Sequence, residues 1–272
     1  VLATAAGRAR RFIVSGGLTL PLSLSLTSRA ELGRTETWTR RGRDGAQALM
    51  LGEQDVYPDV KLRWNWRPTQ PVGVLAGIGA SAGYAINAQR VDAPNDRGGF
   101  ADRSRGRAET TPLSASLTWS IFGPLVTSAS YSLTARDDQR PGALTRSRAE
   151  DRAFSLARTF PLPAEWNQRS GLRTQLTYQR QGSRSVVTND VPNLLDAGDA
   201  PGTSTRPPFT SVLADNGREA WSLNADTDLS ETMTFSLAGT RVLTFDRTFN
   251  RRFSQFTFSA VLQLQFFGGE LR

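Results

Sequence analysis

The chain has 272 residues, 38% of them apolar, a formal net charge of +8, and neither cysteine nor histidine. Without cysteine there is no disulfide framework or thiolate metal site, and without an imidazole the Ser-His-Asp triad and His-based zinc sites are excluded. No apolar run approaches the ~20 residues of a membrane-spanning helix, and the length fits one β domain over residues 1–272.

The dominant pattern along the chain is alternation, the mark of strands with two unlike faces. Leu18, Leu20, Leu22, Leu24 and Leu26 alternate with Thr19, Pro21, Ser23, Ser25 and Thr27, which predicts one strand. Pro21 cannot donate to a ladder, so an edge, a strand start or a bulge is expected there. Val60, Leu62, Trp64 and Trp66 alternate with Lys61, Arg63 and Asn65, and from Val72 to Ala88 the even positions are apolar while the odd ones are mostly glycine. Leu113, Leu117 and Trp119 face Ser114, Ser116 and Thr118; Leu125 and Tyr131 oppose Ser128 and Ser130. Further segments start at Phe154, Leu172, Trp221, Met233 and Phe256. Arg158 and Arg241 fall in the apolar register, so a bulge or a place near a membrane interface is expected at each. This makes about ten strands, most of them long enough for the ~9–11 residues with which a tilted strand crosses a bilayer.

Short turns are expected at 68–71, 123–124, 161–167 and 230–232, and longer polar loops near 40–56, 92–107, 137–149, 183–216 and 246–252. Short and long alternate, as in outer-membrane barrels with short periplasmic turns and longer outer loops. In this scheme both chain ends are periplasmic. Trp64, Trp66, Trp119, Phe122, Phe160, Trp166, Phe266 and Phe267 fall near the short turns or the C-terminus, and Trp38, Trp221, Phe245 and Phe256 near the long loops. Two such groups are expected where rings meet lipid headgroups; the competing reading is core packing in a soluble barrel. In hydrocarbon every backbone polar group must be paired, so strands must close into a ring. The expectation is therefore an all-β fold: an antiparallel transmembrane β-barrel, or part of a larger one, in a Gram-negative-type outer membrane, with a periplasmic C-terminus and the lipid bilayer as partner.

Almost all the positive charge is arginine, Lys61 being the single lysine. The arginines are scattered, the densest group being Arg40, Arg41 and Arg43 in an expected loop. That spacing reads as solvated loops and lumen rather than a nucleic-acid surface. No nucleophile elbow, phosphate loop or zinc-helix motif is present. Gly77, Gly79 and Gly83 lie at period two inside a strand and read as a close contact rather than a phosphate cradle. Asp226 and Asp228 share a polar face, either as an acidic patch in a pore or as Arg-paired carboxylates. Asp190, Asp196, Asp199 and Asp215 in the 183–216 segment could offer oxygen to calcium, but without EF-hand spacing. The same segment, with Pro201, Gly202, Pro207 and Pro208, is a candidate lid or partner-binding loop. No catalytic, cofactor or metal residue is assigned, and no enzyme activity is expected.

Three stretches carry a family resemblance. NGREAWSLNADTDLSETMTFSLAGTRVLTFDRTFNRRFSQFTFSAVLQLQFF resembles the end of the SprA/Sov family, as do VYPDVKLRWNW and SLTWSIFGPLVTSASYSL. The resemblance covers about residues 40–272 and implies the C-terminal wall of a type IX secretion translocon. Such single-chain barrels pass folded cargo proteins, with plug and periplasmic subunits as partners, and they perform no covalent chemistry. Family members are many times longer than this chain. The absence of a charged-then-apolar leader before Val1 is expected of a mature protein or of the C-terminal piece of a longer one. The alternative is a complete small porin-like or adhesion-type barrel, which requires the Leu18–Leu26 segment to pair with Phe256–Phe266.

Overall fold

The computed structural model describes residues 5–41, 46–94, 100–120, 124–161, 171–189, 209–230 and 232–264. These form β1 (Ala5–Leu20), β2 (Leu24–Arg41), β3 (Ala46–Trp66), β4 (Leu75–Pro94), β5 (Phe100–Ser120), β6 (Pro124–Arg140), β7 (Ala143–Phe160), β8 (Leu172–Asn189), β9 (Phe209–Asp228), β10 (Met233–Asp246) and β11 (Arg251–Leu264). Every strand pairs antiparallel with the next, in a single eleven-stranded sheet whose order is the chain order. The all-β antiparallel expectation holds. The sheet is not closed: β1 pairs with β2 alone, and β11 with β10 alone.

Four expectations need correcting. Residues 18–27 are not one strand. Pro21, Leu22 and Ser23 form the turn between β1 and β2, and Leu18 pairs back onto Leu26. The long polar loops are largely strand. The chain pairs from Ala46 onward in β3, through Arg105 and Arg107 in β5, and across 137–149 apart from the two-residue turn at Pro141 and Gly142. The connections are therefore not sorted by length, and the strands run from 14 to 21 residues. An odd strand number also puts Ala5 and Leu264 at opposite ends of the sheet, not at one end. The end holding the 21–23 and 229–232 connections is here called the lower end; the end with the 141–142 turn is the upper. Finally, Arg158 and Arg241 cause no bulge, each pairing in regular register on both sides.

Real irregularities lie elsewhere. The β3 strand carries one extra residue against both neighbours between Val56 and Asp59. Pro58 sits in it, at a site where a missing N–H does not break a ladder bond. The Tyr57–Pro58 peptide is cis. On β4, Gly79 is required by close approach: a Cβ there would lie 2.6 Å from Ser116 Oγ. The Gly-rich segment is thus strand, as its period predicted.

Ladder pairing divides the sheet into two faces. Leu18, Leu26, Leu62, Ala82, Leu113 and Tyr131 are successive partners on one; Gly79, Ser116, Ser128, Ser155, Thr177 and Ser222 are successive partners on the other. No described residue covers either face. Among the described residues no large side chain is fully buried, while Phe12 is 62% exposed and Phe256 71%. A soluble domain buries its apolar face against a second layer; this sheet has none.

Candidate functional site: the two faces of the sheet

On the first face the lower part of each strand is largely apolar, over a height that differs from strand to strand: on β7 only Phe154 and Leu156 lie between Arg152 and Arg158, whereas β1, β2 and β11 carry longer runs. Leu20, Leu18, Val14 and Phe12 form the run on β1; Leu24, Leu26, Ala30 and Leu32 on β2; Leu264, Leu262, Ala260, Phe258 and Phe256 on β11. Each run is close to the ~9–11 residues of a membrane-crossing strand. Trp64, Trp66, Trp119 and Phe160 lie at or next to the lower strand ends. Trp119 Nε1 donates to Thr127 Oγ1 at 3.1 Å, and Trp64 Nε1 to the Leu22 carbonyl at 3.0 Å, so each indole keeps its polar edge satisfied. At the upper border sit Phe154, Tyr178 and Trp221, in register, with the last two rings 4.4 Å apart. This upper aromatic row is in mid-strand, not at strand ends, because the strands continue well beyond it.

Directly above that border the same face turns charged. The first charges met are Arg10, Arg34, Asp55, Arg90, Glu109, Asp137, Arg152, Arg180, Glu219 and Arg241 on β1 to β10 in turn. Many are compensated two residues along their own strand: Arg34 with Glu36 at 3.3 Å, Arg90 with Asp92 at 2.9 Å, Arg107 with Glu109 at 2.7 Å, and Arg152 with Glu150. Side chains two apart in a strand share a face, so these pairs form without help from the fold. They are exposed and add little stability; their effect is a polar belt above an apolar band. Arg158 lies at the opposite, lower border, its guanidinium 4.7 Å from the Phe160 ring centre.

The second face is mainly polar, with Ile13, Val126, Phe253 and Val261 among its exposed apolar exceptions. Its middle is a hydroxyl ladder running Ser116, Ser128, Ser155, Thr177, Ser222, Thr240 and Thr257 across β5 to β11. Ser128 and Ser155 hydroxyls meet at 2.6 Å, those of Thr177 and Ser222 also hydrogen-bond, and Ser81 meets Ser114 at 2.8 Å in the adjoining row. Two charged clusters flank the ladder. Glu31 accepts from Arg11 Nε at 2.5 Å and from Arg29 Nη2 at 2.6 Å. Arg173 bridges Asp226 at 3.0 Å and Asp228 at 2.9 Å, and Thr234 Oγ1 donates to Asp228 at 3.2 Å. Of the two readings of Asp226 and Asp228, the structure thus supports the Arg-paired one.

The remaining candidates separate as follows. Gly77, Gly79 and Gly83 lie in β4, not in a loop. Asp215 is 3.9 Å from Arg247, and no group of acidic residues able to hold a metal ion occurs among the described residues. Arg43, Phe122, Trp166, Asp190, Asp196, Asp199, Pro201, Gly202, Pro207, Pro208, Phe266 and Phe267 lie outside the described residues. The same-face charges are visible in the sequence, but the register does not set them in one row: Arg152, Arg180 and Glu219 share the ladder row of Leu18, Leu26, Leu62 and Tyr131, whereas Arg10, Arg34, Glu53 and Arg90 form another.

No family model matches the chain, and neither a curated protein nor a solved structure matches it.

Proposed function

We propose that this chain is a wall of an outer-membrane β-barrel, its apolar face against lipid and its hydroxyl-rich face toward the barrel interior. One observation carries the reading: a coreless sheet with one predominantly apolar face that gives way to charged residues along each strand. Hydrocarbon supplies the second layer that the protein lacks. The free edges of β1 and β11 leave backbone groups that water can satisfy and hydrocarbon cannot. In lipid they need further strands, which supports a larger barrel over a closed eleven-stranded one. The resemblance to SprA/Sov proteins gives that barrel a task, passage of folded proteins, with plug and periplasmic subunits at its ends. The polar face suits it: across its middle, hydroxyls in short mutual hydrogen bonds offer a passing protein few apolar anchors and few unpaired charges. The lower end, with the C-terminus, is periplasmic, and the wall carries no catalytic chemistry.

The chain has no cysteine, so single-cysteine variants label without background. Variants at Ser222, Asn224 and Asp226 are expected to react with a water-soluble maleimide in outer-membrane vesicles. Variants at Trp221, Leu223 and Ala225 should react only with a lipid-soluble reagent. On intact cells G142C should label and S230C should not. Equal labelling of both series, or recovery of the protein in the soluble fraction, sinks the proposal.

A further inference from the structure

On β7 and β8, just above the aromatic border, arginines face arginines. Arg152 is the ladder partner of Arg180, and Arg148 of Arg184. Like charges directly opposite destabilise a sheet. The first pair is relieved, because Arg152 is held by Glu150 and lies 5.7 Å from the Tyr131 ring centre. Arg148 and Arg184 make no ion pair within 4 Å among the described residues; the nearest opposite charges are Glu150, two residues from Arg148, and Asp215, the β9 ladder partner of Arg184, which itself has Arg247 at 3.9 Å.

Between the two arginine pairs the sheet surface is cut away. Gly182 opposes Gly217, and the Phe245 ring occupies the space a side chain at Gly217 would need. The result is a cleft of about 610 Å³ on the first face, lined by six arginines and by the carboxylates of Asp137, Glu150 and Asp215, with Glu150 opposite Gly182 and the Phe245 ring at its floor, so that cations outnumber anions two to one. Six residues below Arg148 and Arg184 along their strands lies the aromatic row of Phe154, Tyr178 and Trp221, with Arg152 and Arg180 directly above it. Cationic forks above an aromatic row match an amphiphile whose anionic head carries phosphate. Arginine grips phosphate through parallel N–H donors, and a dianion between Arg148 and Arg184 cancels their repulsion.

We infer that this cleft binds the phosphorylated headgroup of an outer-leaflet lipid, seating phosphate between Arg148 and Arg184 and an acyl chain along Tyr178 and Trp221. The inference rests on the membrane reading above and on the upper end facing outward.

The protein is taken in detergent and incubated with bisphosphorylated lipid A, dephosphorylated lipid A or inorganic phosphate. Lipid retained after detergent exchange is counted by mass spectrometry, and thermal unfolding is followed alongside. The wild type should retain bisphosphorylated lipid A about tenfold or more above the R148Q/R184Q variant. The belt variant R34Q, outside the cleft, should retain as much as wild type. Dephosphorylated lipid A should bind as poorly to wild type as the phosphorylated form does to R148Q/R184Q. Inorganic phosphate should not raise the unfolding temperature. Equal retention by R148Q/R184Q, or of the dephosphorylated lipid, overturns the site; stabilisation by inorganic phosphate alone makes it a free-anion site and overturns the lipid assignment. Insertion into phosphatidylcholine vesicles separates the two levels. If the wild type does not insert, the membrane reading falls and takes this one with it. If it inserts but retains lipids without discrimination, only the lipid site falls.

Discussion

Leu223 and Asn224 are neighbours in β9, yet they meet different surroundings. Leu223 pairs with Leu176 and Gly239 in the middle of the apolar band, and Asn224 with Gln175 and Ala238 on the polar face. Composition cannot make that distinction; alternation can, because a strand turns each successive side chain to the other face. On the proposed membrane reading, arginine at Leu223 would stand in the hydrocarbon, where such a substitution costs up to about 2–4 kcal/mol. At Asn224 it would reach a hydrated face beside Gln175. L223R is therefore expected to lower the urea midpoint for folding into vesicles sharply, and N224R to leave it nearly unchanged. Equal losses would mean that the two faces do not meet different solvents. The residue-level signal has a limit at arginine itself. Arg158 and Arg241 break the apolar register in the sequence, but they sit at the lower and upper borders of the band, where a guanidinium reaches water or headgroups.

At the scale of elements, the sequence marked the alternating apolar stretch of each strand better than it marked where the strands end. Residues 137–149 read as a loop because Asp137, Asp138, Arg140, Arg146 and Arg148 are charged. In fact both sides of this stretch are paired strand, and the charges continue the alternation above the apolar band. The turn signal was Pro141–Gly142: proline presets its own φ near −65°, and Gly142 takes φ +72°. The β1–β2 turn gave no such signal. Leu22 and Ser23 adopt φ of 63° and 60° without glycine, and the three-residue connection keeps parity, so Leu20 and Leu24 stay on one face and the alternation runs straight through. Gly142 is the better test of turn chemistry. A β-branched side chain at positive φ costs about 1–2 kcal/mol, and nothing lies within 4 Å of a Cβ there. G142V should thus slow or weaken folding through backbone strain alone, whereas G142N, which tolerates positive φ, should restore most of the loss. If valine is neutral, the hairpin is not closed as described.

Across the whole molecule, the question that alternation leaves open is closure. Alternation predicts strands and their faces, but the number of strands and the fate of the edges depend on which segments pair, and a hairpin hidden inside one apparent strand changes both. Here the hidden hairpin makes the count odd and moves Ala5 to the end opposite Leu264. A single-chain barrel closed by β1 and β11 would join these two strands parallel, since the ten antiparallel steps between eleven strands leave the first and last pointing the same way. Such a junction breaks the uniform antiparallel ladder, whereas insertion of an odd number of further strands between the two edges restores it. Cysteine pairs decide between these cases, because a disulfide needs Cα atoms about 4.4–6.8 Å apart. With Val14→Cys on the apolar face of β1, a scan of Phe256→Cys, Phe258→Cys, Ala260→Cys and Leu262→Cys on β11 covers the registers a closed barrel could use. No intrachain bridge is expected under mild oxidation in vesicles. The positive control Val14→Cys/Ala30→Cys, ladder partners on β1 and β2, should give bridged protein. A bridge in any β1–β11 pair would establish that the eleven strands close on themselves, and the larger-barrel reading would give way to a small, self-contained one.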